Sequence, residues 1–255
     1  MNDMASGAMG GHDITAFPAS GRVFAATRPV RLGDASPGGR LRMDSMATYA
    51  QDVATDDSRD SGLADADAWV VRRSTVEVHR FPTYGEALTL RTWCSGVGSR
   101  WADRRTRFDG ADGGLVETVT AWVAVDLATG RPRLLGDDFA ARYGPSAAGR
   151  TVSARLCHEP PPPAAPRRAW PLRFADFDVL GHVNNAAYWV AVEQLLAERR
   201  ELRAPLRAEL EFHQPVDQGV DVDLMVAPTD TGLNAWIVAA GSTIVHASAV
   251  VGMIS

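Results

Sequence analysis

The chain has 255 residues, 45% of them hydrophobic and 22% charged, with a formal net charge of -5 and a pI near 5.7. These are the proportions of a soluble globular protein with room for one large domain or two of about 120 residues, and the acidic balance argues against a general nucleic-acid or membrane-surface binder, which needs a basic face. Cys94 and Cys157 are too few for a disulfide framework or a cysteine zinc site, so a reducing cytosol is the expected setting, and no apolar run approaches the ~20 residues of a membrane span.

Residues 1–20, rich in Gly, Ala and Met and lacking a secretory leader pattern, read as a disordered arm. Met46, Tyr49, Ala50 and Val53 then follow the i, i+3, i+4, i+7 spacing of one helix face, and TDDSRDSGLADADA, 55–68, reads as a loop. Four long strands are predicted near 69–80, 87–95, 100–108 and 115–125, the first carrying the alternation STVEVH. From 144 to 169 the chain includes four consecutive prolines, which suit neither a helix interior nor a central strand, so this stretch is predicted as a semi-rigid linker. Beyond it, Tyr188, Ala191, Val192 and Leu195 mark a second helix. LRAELEFH, 206–213, alternates apolar and polar residues as a half-buried strand does.

The two halves repeat each other. Val76 and Leu210, Glu77 and Glu211, His79 and His213, and Gly85 and Gly219 all differ by 134 positions, while the two helical patterns differ by 142. Each half therefore reads as a short strand, one helix and about four antiparallel strands. One helix cannot cover both faces of such a sheet, so the simplest α+β architecture wraps a curved sheet around it and pairs the halves.

One segment breaks the repeat. FADFDVLGHVNNAAYWV, 174–190, keeps Asp176 and Gly181 in register with Asp34 and Gly39, but Asp178, His182 and Asn184 face Ser36, Arg40 and Arg42. A feature needed only for folding should occur twice. Asn184 and Asn185 precede the helix, where Asn is a favoured cap that shapes the turn. Asp178, Gly181 and His182 thus fall beside unpaired helix N–H groups, a place that polarises an acyl carbonyl. A carboxylate there can act as base or nucleophile, and an imidazole can move protons near pH 7. Acyl transfer to water fits these parts. Asp176 shares its role with Asp34, and His79 and His213 read as strand-surface residues common to both halves.

DVLGHVNNAAYW resembles the D-x-x-G-H-V-N-N-x-x-Y signature of hotdog-fold thioesterases. RRSTVEVHRFPTYGEALTLRTWCSGVGSRWADRRTRF is similar to the N-terminal module of acyl-ACP thioesterases. The resemblance implies a tandem (double) hotdog: a non-catalytic, acyl-binding module over 21–143, the linker over 144–169, and a catalytic module over 170–255. It implies Asp178 and His182 as catalytic residues, with Gly181, Val183, Asn184, Asn185 and Tyr188 at the substrate. Leu180 stands where the plant enzymes carry Asn, and Pro215 and Val216 stand where they carry Glu and Cys.

The implied activity is hydrolysis of fatty acyl thioesters of acyl carrier protein or coenzyme A by a monomer or homodimer. No cofactor and no metal are expected, since His158, His182 and His213 lack a recognisable ligand spacing. Arg72, Arg73, Arg104, Arg105, Arg199, Arg200 and Arg203 are candidates for docking an acidic carrier. A G-x-S-x-G elbow, H-E-x-x-H, a Walker loop and the hydratase pattern H-x-x-x-x-F-P-G are all absent from the sequence. A non-catalytic acyl-thioester binding protein is the alternative that Leu180 and Pro215 favour.

Overall fold

The computed structural model describes residues 14–63, 68–126 and 128–254. The first half contains β1 (Phe24–Pro29), α1 (Met43–Asp60), β2 (Ala68–Arg80), β3 (Ala87–Val97), β4 (Trp101–Gly110) and β5 (Leu115–Val125). After α2 (Asp137–Ala147) come β6 (Arg167–Trp170), α3 (Tyr188–Glu198), β7 (Leu206–Phe212), β8 (Val222–Pro228), β9 (Gly232–Ala239) and β10 (Val245–Met253). Among the described residues the strands form one antiparallel sheet in the order β1-β3-β4-β5-β2-β7-β10-β9-β8-β6. Each half repeats the same order inverted, and the halves meet where β2 pairs with β7. In that seam Thr75 faces Glu209, its own counterpart at the 134-residue offset, so the local twofold axis passes through this pair.

The α1 and α3 patterns place Met43, Met46, Tyr49 and Val53, and Tyr188, Trp189, Val192 and Leu195, on buried faces. These side chains join Val76, Val78, Leu206, Ala208 and Leu210 of the central strands in one core shared by both halves. Burying each such side chain contributes ~1.5–3 kcal/mol, which is why the apolar alternation decides which face of every strand points inward.

The structure corrects several sequence expectations. α1 runs on to Asp60, so the loop expected over 55–68 begins only at Ser61, and its residues 64–67 lie outside the described residues. The predicted linker is shorter at both ends, because 144–147 belong to α2 and 167–169 to β6. Of the expected arm, residues 1–13 lie outside the described residues. Phe17 packs against Trp93 with ring centroids 4.9 Å apart, and Arg105 donates to the Thr15 carbonyl. Finally, β7 is buried along its whole length rather than half-buried. The linker causes this: Arg73 donates to the Ser153 and Arg155 carbonyls (2.9 and 3.0 Å), and the Cys157 and His158 N–H groups donate to Glu211 (2.6 and 2.9 Å), so 152–159 lie over the polar face of the seam.

Candidate active site

The turn that carries Asp178 occurs twice in the molecule. Asp178 N–H donates to the His182 carbonyl at 2.9 Å and Gly181 N–H to the Asp178 carbonyl at 3.0 Å; in the first half Ser36 donates to Arg40 at 2.7 Å and Gly39 to Ser36 at 2.8 Å. Gly181 and Gly39 have φ of 80° and 82°, a left-handed conformation that favours glycine. Asn184 donates to the Asp176 carbonyl as Arg42 does to that of Asp34. The backbone is thus a property of the repeat, and only the side chains differ. Arg40, at the position of His182, is spent structurally: it pairs with Glu193 at 3.0 Å and lies over the Phe81 ring.

In the second half the polar groups stay closer to the surface. Asp178 Oδ1 accepts the Leu180 N–H at 2.9 Å, an Asx-type turn, while Oδ2 has no partner among the described residues. His182 pairs with Asp217 rather than with Asp178: Nε2 lies 3.2 Å from Asp217 Oδ1. Sequence reasoning missed Asp217; the available signal was its place after Pro215 and Val216, opposite Thr83 at the 134 offset, where His182 and Arg40 make equivalent bridges. Asn184 Oδ1 accepts the Ala186 N–H at 2.9 Å, so Asn184 caps the turn and regular α3 starts only at Tyr188. The Asn185 N–H has no partner among the described residues and is an open donor at this helix start. Burial, first of all, pushes the Tyr188 hydroxyl well above its ordinary range, with the Val216 backbone opposing it, so Tyr188 stays protonated. Val183 is buried in the core and supports the turn from beneath.

Asp178, His182, Asn185 and Tyr188 line a cleft of about 750 Å³ whose opposite wall is Trp69, Val71 and Arg72 of the first half. Asn185, Val71 and Phe212 also border a narrow cavity of about 30 Å³ beneath α1. That cavity shares Gln51, Ala54, Arg104 and Trp122 with a third of about 330 Å³, which reaches Cys94 and Phe139. The space exists because α1 turns Ala47, Ala50 and Ala54 toward the sheet. In the second half Trp189 and Leu195 fill the same layer, and the cavity beside α3 holds about 10 Å³.

Three of the arginines expected to dock a carrier are engaged elsewhere. Arg73 is buried under the linker, Arg104 pairs with Asp57, and Arg105 pairs with Glu117 at 2.8 Å. Arg199 pairs with Glu201 at 3.5 Å, and Arg200 and Arg203 follow α3 at its far end. Arg72 does line the cleft, held by the Phe212 and His213 carbonyls, and is joined there by Arg100 and Arg155, which the sequence reading did not single out. None of these three has a carboxylate partner among the described residues. Arg72 owes its position to a bulge in β2, where Val71 and Arg73 face adjacent residues of β5 and Arg72 is the extra one.

His158, Glu209 and Glu211 bring ligand-type atoms within 4.8 Å of one another. Their charge is already compensated: Thr75 and Arg207 donate to Glu209, the linker N–H groups donate to Glu211, and Arg73 lies 3.7 Å from Glu211.

Comparison with known proteins gives two family matches, acyl-ACP thioesterase N-terminal domain over residues 21–143 and acyl-ACP thioesterase C-terminal domain over residues 163–246. An uncharacterised protein of Mycobacterium tuberculosis is 32% identical over 203 residues, 79% of this chain and 81% of that protein. A putative oleoyl thioesterase of Lactobacillus plantarum superposes with a TM-score of 0.74 at 19% identity, covering 94% of this chain and 100% of its own. An acyl-ACP thioesterase of Bacteroides thetaiotaomicron gives 0.75 at 18% identity, covering 90% and 97%. At these identities the structural likeness establishes the fold, a hotdog-type antiparallel sheet with few helices.

Proposed function

Since the chain belongs to the acyl-ACP thioesterase family and is a hydrolase of fatty acyl thioesters, we propose that it acts on acyl-ACP with Asp178 at the reacting carbonyl. The halves then form tandem hotdog modules: residues 21–143 hold the acyl chain and residues 170–255 carry the chemistry.

The observation that carries this reading is the cleft between the halves. It puts Asp178, with its free Oδ2, and the open Asn185 N–H at the mouth of cavities that continue under α1. The acyl chain enters beneath Ala47, Ala50 and Ala54, and the thioester carbonyl lies against the helix start, where the Asn185 N–H stabilises the developing oxyanion. The Asp178 carboxylate attacks the carbonyl or activates water, and His182, oriented by Asp217, donates the proton that the departing thiolate needs. Arg72, Arg100 and Arg155 face the incoming carrier, whose acidic surface they complement. The likeness to the Bacteroides acyl-ACP thioesterase supports the same carrier.

The test is thiol release over many turnovers from acyl-ACP and acyl-CoA panels by the native chain and by Asp178→Asn. Turnover by the native chain alone, fastest on acyl-ACP, is the expected result. Faster turnover of acyl-CoA would reassign the carrier, and an unimpaired Asp178→Asn would remove Asp178 from the chemistry.

A further inference from the structure

The polar cluster beneath the linker is connected to the cleft by an unbroken chain of contacts. Glu209 Oε1 lies 3.3 Å from His158 Nε2, His158 Nδ1 lies 2.9 Å from Ser248 Oγ, and Ser248 Oγ lies 3.0 Å from His213 Nε2. Glu209 and Ser248 are buried, whereas His213 lines the cleft together with Asp178, His182 and Tyr188.

An ionised carboxylate only accepts, and this sets the direction of every proton in the chain. With His158 neutral, its proton sits on Nε2 toward Glu209, so Nδ1 accepts the Ser248 hydroxyl proton. Ser248 Oγ in turn accepts the His213 Nε2–H. His213 Nδ1 is therefore left with a bare lone pair, and it has no hydrogen-bond partner among the described residues.

The first half shows that folding does not require this chain. Glu117 stands opposite Glu77 as Ser248 stands opposite Glu211, and His79 simply rests against Glu117 at 3.3 Å. Thr75 occupies the place of Glu209. A shared strand histidine has thus been given a different set of partners on one side only.

We propose that His213 is a catalytic base of the hydrolysis, taking the proton of the attacking water at Nδ1, with Ser248, His158 and Glu209 as positioning residues that draw the charge inward. The proposal rests on the thioester-hydrolase reading and assigns a residue that reading leaves unused. In the step, a water O–H bond breaks as its oxygen bonds to the acyl carbon, and the proton passes to His213 Nδ1. The Nε2 proton moves to Ser248 Oγ and the serine's own proton to His158 Nδ1. The electron pair of the cleaved acyl bond leaves on the thiolate or, if Asp178 has attacked first, on its carboxylate. His158 becomes an imidazolium beside Glu209, with Glu211 3.9 Å away. Back-transfer along the same path returns the proton to the leaving group or to solvent and resets the chain. With water handled by His213, Asp178 is free to act as the attacking carboxylate.

The surroundings support a neutral base. Burial, first, and then the Arg72 guanidinium hold the His213 imidazole below its ordinary range, while Glu211 opposes them. His158 faces Glu209 and Glu211, with Arg73 and Arg207 completing the cluster.

The experiment is steady-state hydrolysis of acyl-ACP by the full chain, its His213→Ala and Ser248→Ala variants, each checked by thermal melting. His213→Ala should lower kcat about a hundredfold or more with little change in KM, and added imidazole should recover part of the rate. Ser248→Ala should lower kcat about tenfold and shift the acid limb of the pH profile. It should also turn a bowed rate dependence on D2O fraction into a straight line, which a merely structural role would not do. If His213→Ala does not fold, His213→Gln takes its place in the comparison. Native turnover combined with an unchanged kcat and acid limb in the variants overturns the proposal. No turnover by the native chain of either acyl-ACP or acyl-CoA overturns the hydrolase reading and this proposal with it.

Discussion

At Asp178 the turn and the chemistry draw on one carboxylate, since Oδ1 accepts the Leu180 N–H and Oδ2 is left for the substrate. Asn at this position keeps an acceptor for the turn but removes the charge, so Asp178→Asn should melt like the native chain and lose about a hundredfold or more in kcat. Glu209 predicts a pH effect on stability. Burial alone raises this carboxyl, but hydrogen bonds from His158 and Thr75 and the charge of Arg73 outweigh it and bring it from 4.5 down to about 2. The unfolded chain therefore takes up a proton that the folded chain does not between those values. The stabilisation, on the order of 3 kcal/mol, is complete above pH 4.5 and drains away as pH falls toward 2. Melting curves across this window should show that loss for the native chain and a flatter profile for Glu209→Gln. Comparison of Asp178 and His182 with Ser36 and Arg40 made the candidate site visible in the sequence; the His182–Asp217 pair was not visible, because nothing in the spacing says which turn faces which.

Periodicity located α1 and α3, yet it stopped α1 short at a residue with a specific reason for its burial. Asp57 takes a core-facing position where an apolar residue was expected, and Arg22 and Arg104, distant in sequence, neutralise it. α2 escaped because its last turn, with the internal Pro145, read as the start of the linker. The alanine face of α1 carries a prediction about the substrate. Ala54 borders both inner cavities, so Ala54→Leu should narrow the path and cut kcat/KM for the longest accepted chains about tenfold relative to short ones, as read from an acyl-ACP length series. The linker is held just as tightly. A Cβ on Gly96 would fall 2.3 Å from Val152 Cγ1, so Gly96→Ala should cost about 1–3 kcal/mol by denaturant titration.

The seam between β2 and β7 makes one molecule of two repeats. Arg73 faces Glu211 and Glu77 faces Arg207 across it, and a single core runs through both halves. The largest core belongs to neither half alone, so calorimetry should give one cooperative transition, and a fragment of residues 21–143 should not fold as a monomer. The sequence by itself determined the repeat, the positions of β2 to β5 and of β7, the inward face of β2 and β7 and the side that carries the polar turn, because each follows from local spacing or from comparing one half with the other. Only the tertiary structure decided that the linker buries the outer face of β7, that alanines on α1 leave a path leading from Asp178, and that His213 meets Ser248 and His158. Those outcomes depend on which distant segments come to lie against each other, and pairing across 35 to 140 positions leaves no periodic trace along the chain.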